Sequence, residues 1–327
     1  MSIGGDMNYQ TSDITSDYNI LNSMDAYRSC RLCPRSCGVN RYRETGFCGC
    51  GPVPKAARAA LHQWEEPCIS GINGSGTIFF SGCTLRCCFC QNYKISSEGF
   101  GREISLDRLA EIFLELQEQG AHNINLVTAT QYVPSVIQAL DRVKGQLAVP
   151  VVYNCGGYES LETIRALEPY VDIWLPDLKY MDRSLSRRYS AAPDYFEAAS
   201  EAVRLMIRQT GPLVFEDFSD GQHSCRLMKR GTIIRHMVLP GQKADSIRLL
   251  DWISRSLPRE QFLISLMSQY TPFYKSQDYP EINRRITTYE YEKVIDHAIA
   301  LGLSDGFMQE KSSAKEEYTP PFELQGI

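Results

Sequence analysis

Cys83, Cys87 and Cys90 stand in the run Ser81-Gly-Cys-Thr-Leu-Arg-Cys-Cys-Phe-Cys-Gln-Asn92, a C-x3-C-x2-C triplet directly after the apolar stretch Gly76-Thr-Ile-Phe-Phe80. Three closely spaced thiolates hold three irons of a [4Fe-4S] cube, whereas an electron-carrying ferredoxin supplies four and leaves no iron open. An iron without a protein ligand is a vacant coordination position, the feature that separates catalytic metal centres from closed structural ones. The triplet therefore predicts chemistry at a cluster; a zinc site or packed structural thiols are the competing readings. Cys88 adjoins Cys87, but taking it as the middle ligand gives C-x4-C-x1-C, too cramped after the second ligand, so it reads as a packed thiol.

A second group of thiols lies upstream. Cys30, Cys33, Cys37 and Cys48 are spaced C-x2-C-x3-C-x10-C, with Cys50 following, in too little chain for a hydrophobic core of its own. Metal is the expected staple. The spacing does not match the bacterial ferredoxin run, and zinc and an auxiliary iron–sulfur cluster both stand as occupants. Arg28, Arg31, Arg35, Arg41, Arg43, Lys55 and Arg58 surround these thiols, with Glu44 the only acid between Ala26 and Ala60. Such positive charge offsets a thiolate–metal centre; the alternative is contact with RNA or an acidic partner.

The rest of the chain must position these groups. Its 327 residues, 43% hydrophobic and 22% charged, are ordinary for a globular protein. A net charge of −5 argues against general nucleic-acid binding. No apolar run approaches the ~20 residues that span a bilayer, and no signal-type stretch opens the chain, so a cytoplasmic protein without membrane attachment is expected. Twelve cysteines then point to metal rather than disulfides. We expect a flexible tail over 1–25, a Cys-rich metal-binding segment over 26–66, a catalytic barrel over 67–308 and a C-terminal tail over 309–327.

From Thr77 onward, β-branched runs alternate with helical patterns, as repeated β-α units around a parallel sheet require. Six strands are predicted: Thr77 to Phe80, Ile124 to Thr128, Val149 to Tyr153, Val171 to Leu175, Thr232 to Leu239 and Phe262 to Met267. Helical spacing marks Leu106 to Gln119, Val133 to Val143, Ser160 to Leu167, Phe196 to Gln209, Ala244 to Ser256 and Tyr289 to Leu301. Ligands gather where such strands end, because loops and helix N-termini converge there.

The triplet, with Phe89 before its last cysteine, resembles the signature of the radical S-adenosylmethionine (SAM) superfamily. That resemblance implies an α/β fold, the open partial (β/α)6 TIM-type barrel, and a [4Fe-4S] cluster whose open iron chelates SAM. It also implies reductive cleavage of SAM to a 5′-deoxyadenosyl radical that abstracts hydrogen from the substrate. The ordered blocks Cys30 to Cys50, Glu65-Glu-Pro-Cys-Ile-Ser-Gly71, Gly74 to Cys83, Asp177-Leu-Lys179, Arg235-His-Met-Val-Leu-Pro-Gly241 and Leu266-Met-Ser-Gln-Tyr-Thr-Pro272 are similar to the PflX branch related to pyruvate formate-lyase activating enzyme. This implies an activase-like oxidoreductase of anaerobic chemistry, a protein or peptide substrate such as a glycyl radical enzyme, and an electron donor such as flavodoxin or ferredoxin. A nucleic acid or small molecule as substrate, and a non-catalytic electron carrier, are the rivals.

With SAM in view, the strand ends acquire roles. Relatives carry a Gly-Gly-Glu type sequence after the second strand to receive the SAM amino group; this chain has Thr128-Ala-Thr130 instead, whose hydroxyls can accept ammonium hydrogens, while helix capping explains Thr130 equally well. Asn154, before two glycines, is a candidate after the third strand. Asp177 and Lys179 share one side of an extended segment, where they meet a charged ligand or each other. Arg235 and His236 must face opposite ways. If Arg235 looks into the barrel its planar fork suits the SAM carboxylate, and His236 is a satisfied histidine under a helix. Gln269 is placed to hydrogen-bond ribose or substrate.

Overall fold

The computed structural model describes residues 21, 23–309 and 320–327. The expected tail over 1–25 therefore lies almost wholly outside the described residues, as does 310–319 of the expected C-terminal tail. Among the described residues, ten strands form one sheet: β1 (Lys55–His62), β2 (Ser75–Phe80), β3 (Arg102–Glu103), β4 (Ile124–Val127), β5 (Val151–Cys155), β6 (Ile173–Pro176), β7 (Val214–Ser219), β8 (Ser224–Met237), β9 (Leu263–Met267) and β10 (Gly306–Met308). Their order is β10-β9-β8-β6-β5-β4-β2-β1-β3, with β7 hydrogen-bonded to β8. The expected six strands are β2, β4, β5, β6, β8 and β9, and each pair of neighbours among them runs parallel. Every residue of β2, β4, β5 and β6 is buried, the continuous apolar pattern of strands covered on both faces.

Between the strands lie α1 (Leu106–Glu118), α2 (Val133–Val143), α3 (Leu161–Leu167), α4 (Arg183–Ser190), α5 (Tyr195–Thr210), α6 (Lys243–Ser256) and α7 (Thr288–Ala300). Several start at side chains that accept an otherwise orphaned N–H. Ser105 caps α1, Ser160 caps α3, and Thr287 with Glu290 makes a reciprocal capping box on α7. One core packs α1, α2 and α3 against β2, β4 and β5. A second packs α5, α6 and α7 near β8 and β9, and it includes Leu85, Cys87, Cys88 and Phe89. The thiol loop is thus anchored in the second core. No helix among the described residues is long and apolar enough to cross a membrane.

The sheet is open and mixed, consistent with a partial barrel, and it carries strands beyond the expected six. β1 lies within the segment expected to be Cys-rich and metal-binding; it runs antiparallel to β2, with β3 antiparallel on its other side. Its sequence, Lys-Ala-Ala-Arg-Ala-Ala-Leu-His, has weak strand preference, and pairing to the buried β2 supplies what propensity does not. β7 and β8 form a hairpin, whose turn is shaped by Asp220 accepting from the N–H groups of Gln222 (2.8 Å) and His223 (2.7 Å). β10 adds a further parallel strand beside β9. At the C-terminus, residues 320–327 return to the edge of β1: Leu324 N–H donates to Ala57 O (3.0 Å) and Ala59 N–H to Gln325 O (2.8 Å).

Candidate functional site

The chain leaves β2 through Gly82, at φ +84°, where a Cβ would stand 2.1 Å from Cys50 Sγ and 2.9 Å from Cys48 O. Only glycine lets the N-terminal thiol segment come this close to the loop. The triplet that follows has a donor aimed at each sulfur. Leu85 N–H donates to Cys83 Sγ (3.3 Å), Ser190 Oγ at the end of α4 to Cys87 Sγ (2.9 Å), and Ser96 Oγ to Cys90 Sγ (3.3 Å). Burial, then the neighbouring Cys87, pushes the Cys83 thiol up and the Cys90 thiol to about 12. A bound cation reverses that bias by stabilising thiolates. Among the described residues, no three His, Cys, Asp or Glu side chains converge on one ion position. A cube asks its thiolates to reach three separate irons rather than one point, and three sulfurs already receiving hydrogen bonds fit that demand.

Cys87, Phe89 and Cys90 border a cavity of about 220 Å³ shared with Glu65, Asn154, Asp177, Lys179, Arg235 and Gln269. Asn154 comes from β5, Asp177 from just past β6, Arg235 from β8 and Gln269 from just past β9, so the strand ends deliver these side chains to one place. Gly157, at φ +79°, permits the β5 and β6 loops to touch: a Cβ there would lie 2.1 Å from Asp177 O. Phe89 meets Tyr270 edge-on at 5.6 Å. Gln269 Oε1 accepts from Gln309 Nε2 at 3.4 Å.

Arg235 organises the charges. Its Nε donates to Asp177 Oδ1 (2.9 Å), Nη1 to Glu65 Oε2 (3.3 Å) and Nη2 to Asn154 Oδ1 (2.6 Å). The fork expected to grip a ligand carboxylate is therefore engaged by protein groups. Asn125 (3.1 Å) and Asn154 (3.2 Å) donate to the other oxygen of Glu65, and Lys179 Nζ pairs with Asp177 Oδ2. Burial pushes the Asp177 carboxyl up, but Arg235 and Lys179 together hold it below the usual carboxylate range. At Glu65 burial outweighs Arg235, and its affinity for a proton rises. His62, also on the cavity wall, is held down to about 4 by burial and by Arg58. His236 faces the other way, its ring nitrogens 2.7 Å from Leu178 O and 2.8 Å from Ser246 Oγ of α6.

Thr128 and Thr130 are not brought to this cavity. Thr130 Oγ1 donates to Glu159 Oε1 (2.8 Å) and accepts from Tyr153 OH (3.3 Å). Thr128, at φ +58°, uses its backbone, N–H to Asn154 O (2.9 Å) and carbonyl to Gln131 Nε2 (2.7 Å). Glu65 was not among the expected site residues; the adjacent acids Glu65-Glu66 before an apolar turn are the signal that marks it.

Cys30, Cys33, Cys37 and Cys48 border a separate cavity of about 20 Å³. Cys50 turns aside, its sulfur 3.5 Å from Ser81 O and 3.4 Å from Cys48 O. Cys68 lies in a small core with Ile69 and Val152, and Cys88 borders another cavity beside Arg188 and Tyr189. Arg35 ties this segment to the triplet: it donates to Thr84 O in the thiol loop, to Ser190 O (3.2 Å) and to Ala191 O (3.0 Å).

Among known proteins, the chain is 29% identical over 292 residues to an uncharacterized protein of Methanocaldococcus jannaschii, covering 86% of this chain and 78% of that one. Among solved structures, methylornithine synthase aligns at 13% identity and a TM-score of 0.49, covering 92% of this chain and 71% of that chain. Streptococcus suis SuiB bound to S-adenosylmethionine aligns at 13% identity and a TM-score of 0.46, over 70% of this chain and 48% of that one. A domain of pyruvate-formate lyase-activating enzyme from Bacteroides vulgatus aligns at 16% identity and a TM-score of 0.35, over 52% of this chain and 89% of that one. The family model of the radical SAM superfamily matches residues 77–253, more than half of the 327 residues and the whole stretch from the triplet's preceding strand into α6. The chain belongs to the radical SAM superfamily.

Proposed function

We propose that this protein is an activase-like radical SAM oxidoreductase of the PflX branch, acting on a protein or peptide substrate, with a glycine of a glycyl radical enzyme as the hydrogen donor. The observation that carries the reading is the triplet itself: three hydrogen-bonded sulfurs, of which Cys87 and Cys90 lie at the wall of a cavity where charged and polar side chains from four strand ends meet. Cys83, Cys87 and Cys90 hold a [4Fe-4S] cluster in this reading. When bound, that cluster would supply the single electron for reductive cleavage of SAM and, through it, hydrogen abstraction from the glycine Cα. The chain's own residues bind and orient. Lys179, held charged between burial and Asp177, faces the SAM carboxylate, and Asn154 and Gln269 offer neutral hydrogen-bonding groups to amino and ribose functions. Arg235 holds Asp177, Glu65 and Asn154 in place rather than reaching the ligand. The open sheet leaves a side through which a peptide loop enters, and a flavodoxin or ferredoxin is the electron donor.

Anaerobically reconstituted protein given SAM and a chemical reductant is expected to release 5′-deoxyadenosine, and Cys87→Ala to release none above background; an unchanged yield in that variant rejects the reading. Electron paramagnetic resonance of a candidate lyase after incubation is expected to show a glycyl radical. Cleavage without such a signal moves the substrate to a nucleic acid or a small molecule.

A further inference from the structure

The N-terminal thiols stand outside the chemistry just described. Residues 28–54 contain neither helix nor strand, and the apolar residues packed there are few: Ala26, Tyr27, Cys30 and Leu32, with Leu21, Met24 and Val39 against them. The backbone is nevertheless folded tightly, with Cys30 N–H on Val39 O (3.0 Å), Gly38 N–H on Cys30 O (2.9 Å) and Ser36 N–H on Cys33 O (2.9 Å). So small an irregular unit needs a covalent or metal staple.

We propose that Cys30, Cys33, Cys37 and Cys48 form a tetrathiolate site for a single zinc ion, separate from the Cys83–Cys87–Cys90 centre and structural in role. Four of the five N-terminal thiols border one void, while Cys50 contacts the Cys48 side chain, Cys48 O and Ser81 O. The void, about 20 Å³, matches one water or one ion, for which roughly 10–15 Å³ suffices, and is too small for a cube of iron and sulfide. Leu32, Arg35, Phe47, Thr84, Thr130 and Gln131 make the rest of its wall, and of the four thiols only Cys37 is exposed. The sulfurs surround the void without converging within bonding reach of one point. Binding requires them to draw together: zinc displaces thiol protons and gathers four sulfurs at about 2.3 Å. Four thiolates around Zn²⁺ carry excess negative charge, which Arg35, stacked 3.5 Å over the Phe47 ring, and the buried Arg41 offset. Through Arg35 the site also braces the catalytic loop at Thr84 and the end of α4 at Ser190.

The test is metal analysis of the full-length Cys83→Ala, Cys87→Ala, Cys90→Ala protein, in which the catalytic cluster has no ligands. About one zinc per chain, without iron or sulfide, is expected; cobalt(II) in its place should give the intense visible bands of a tetrahedral tetrathiolate. Cys37→Ser in that background should lower zinc affinity by at least the roughly 10–100-fold that even outer-shell losses cost. Alkylation of the folded wild type gives a readout that needs no N-terminal substitution: the four thiols should resist the reagent until a chelator is added. Iron and sulfide in the triple variant, or no metal together with freely alkylated thiols, overturns the proposal. Neither result bears on SAM cleavage, which the wild-type 5′-deoxyadenosine assay reports separately.

Discussion

The molecule holds two thiol-rich regions built on opposite plans. In the Cys83–Cys90 loop each triplet sulfur accepts a hydrogen bond, and the loop opens on a cavity of about 220 Å³ walled by Glu65, Asn154, Asp177, Lys179 and Arg235. In the Cys30–Cys48 segment the thiols enclose about 20 Å³ on irregular backbone, remote from the charged side chains that the strand ends deliver. Both are proposed here as metal sites. What separates chemistry from scaffolding is the space and the polarity on the far side of the sulfurs.

Exchanging one thiol from each region is the severest test of that contrast. Cys87→Ala should reduce 5′-deoxyadenosine formation to background while costing only about 1 kcal/mol of stability, the usual scale of a small buried truncation. Cys48→Ala should do the reverse, with a lower melting temperature and cleavage reduced no further than the folded fraction. Cleavage lost from Cys48→Ala at an unchanged melting temperature would break the distinction.

The charged wall of the larger cavity gives the next largest effect. Arg235→Ala leaves Asp177 and Glu65 as buried carboxylates without their shared cation, a loss of about 3–5 kcal/mol in denaturant unfolding. Arg235→Lys keeps the charge but cannot hold Asp177, Glu65 and Asn154 with one planar fork, and should recover only part. Among the described residues no ion pair involves a side chain lining the smaller void, so an equal loss from Arg41→Ala would blur the contrast.

Much of this arrangement is legible from sequence because it is local. The C-x3-C-x2-C spacing, the buried strand runs and the Thr287–Glu290 cap each sit within a few residues, and the structure forms the corresponding loop, strands and helix start. The partners that came from afar were not legible. Glu65 meets Arg235 across 170 positions, and Ser190 reaches Cys87 across 103. β1 is hidden for a related reason: its alanines become a strand only by pairing with β2. Thr130 reads as a strand-end hydroxyl, yet the buried Glu159 claims it from the other side.

The cavity's titratable wall predicts a pH effect of its own. The His62 imidazole is depressed from its ordinary 6.5 to about 4, so the folded protein keeps it neutral where the unfolded chain would protonate it. The stabilisation is present above about 6.5 and is lost as pH falls toward 4, because the unfolded state then binds the extra proton. The slope is worth on the order of 2 kcal/mol across that window for a partly exposed ring. His62→Gln should flatten it in denaturant titrations from pH 7 to 4. An unchanged slope would assign the acid sensitivity elsewhere.

The smallest effect concerns a residue that both regions touch. Ser190 Oγ donates to Cys87 Sγ at 2.9 Å and lies 2.9 Å from Tyr180 OH, while its carbonyl receives Arg35 Nη2 at 3.2 Å. A donor to a cluster sulfur stabilises the more negative, reduced state and raises the midpoint potential. Ser190→Ala should therefore lower the potential of the reconstituted cluster and slow dithionite-driven SAM cleavage modestly, with stability reduced by about 1 kcal/mol. Tyr180→Phe, one step further along the hydrogen-bond chain, should shift the potential in the same direction by less. Arg35→Ala leaves the Ser190 hydroxyl intact but frees its carbonyl, so a potential shift there of the same sign would show the N-terminal segment acting on the cluster through position alone. A shift in Ser190→Ala with none in Arg35→Ala would confine the tuning to the catalytic loop and leave the two thiol regions mechanically independent.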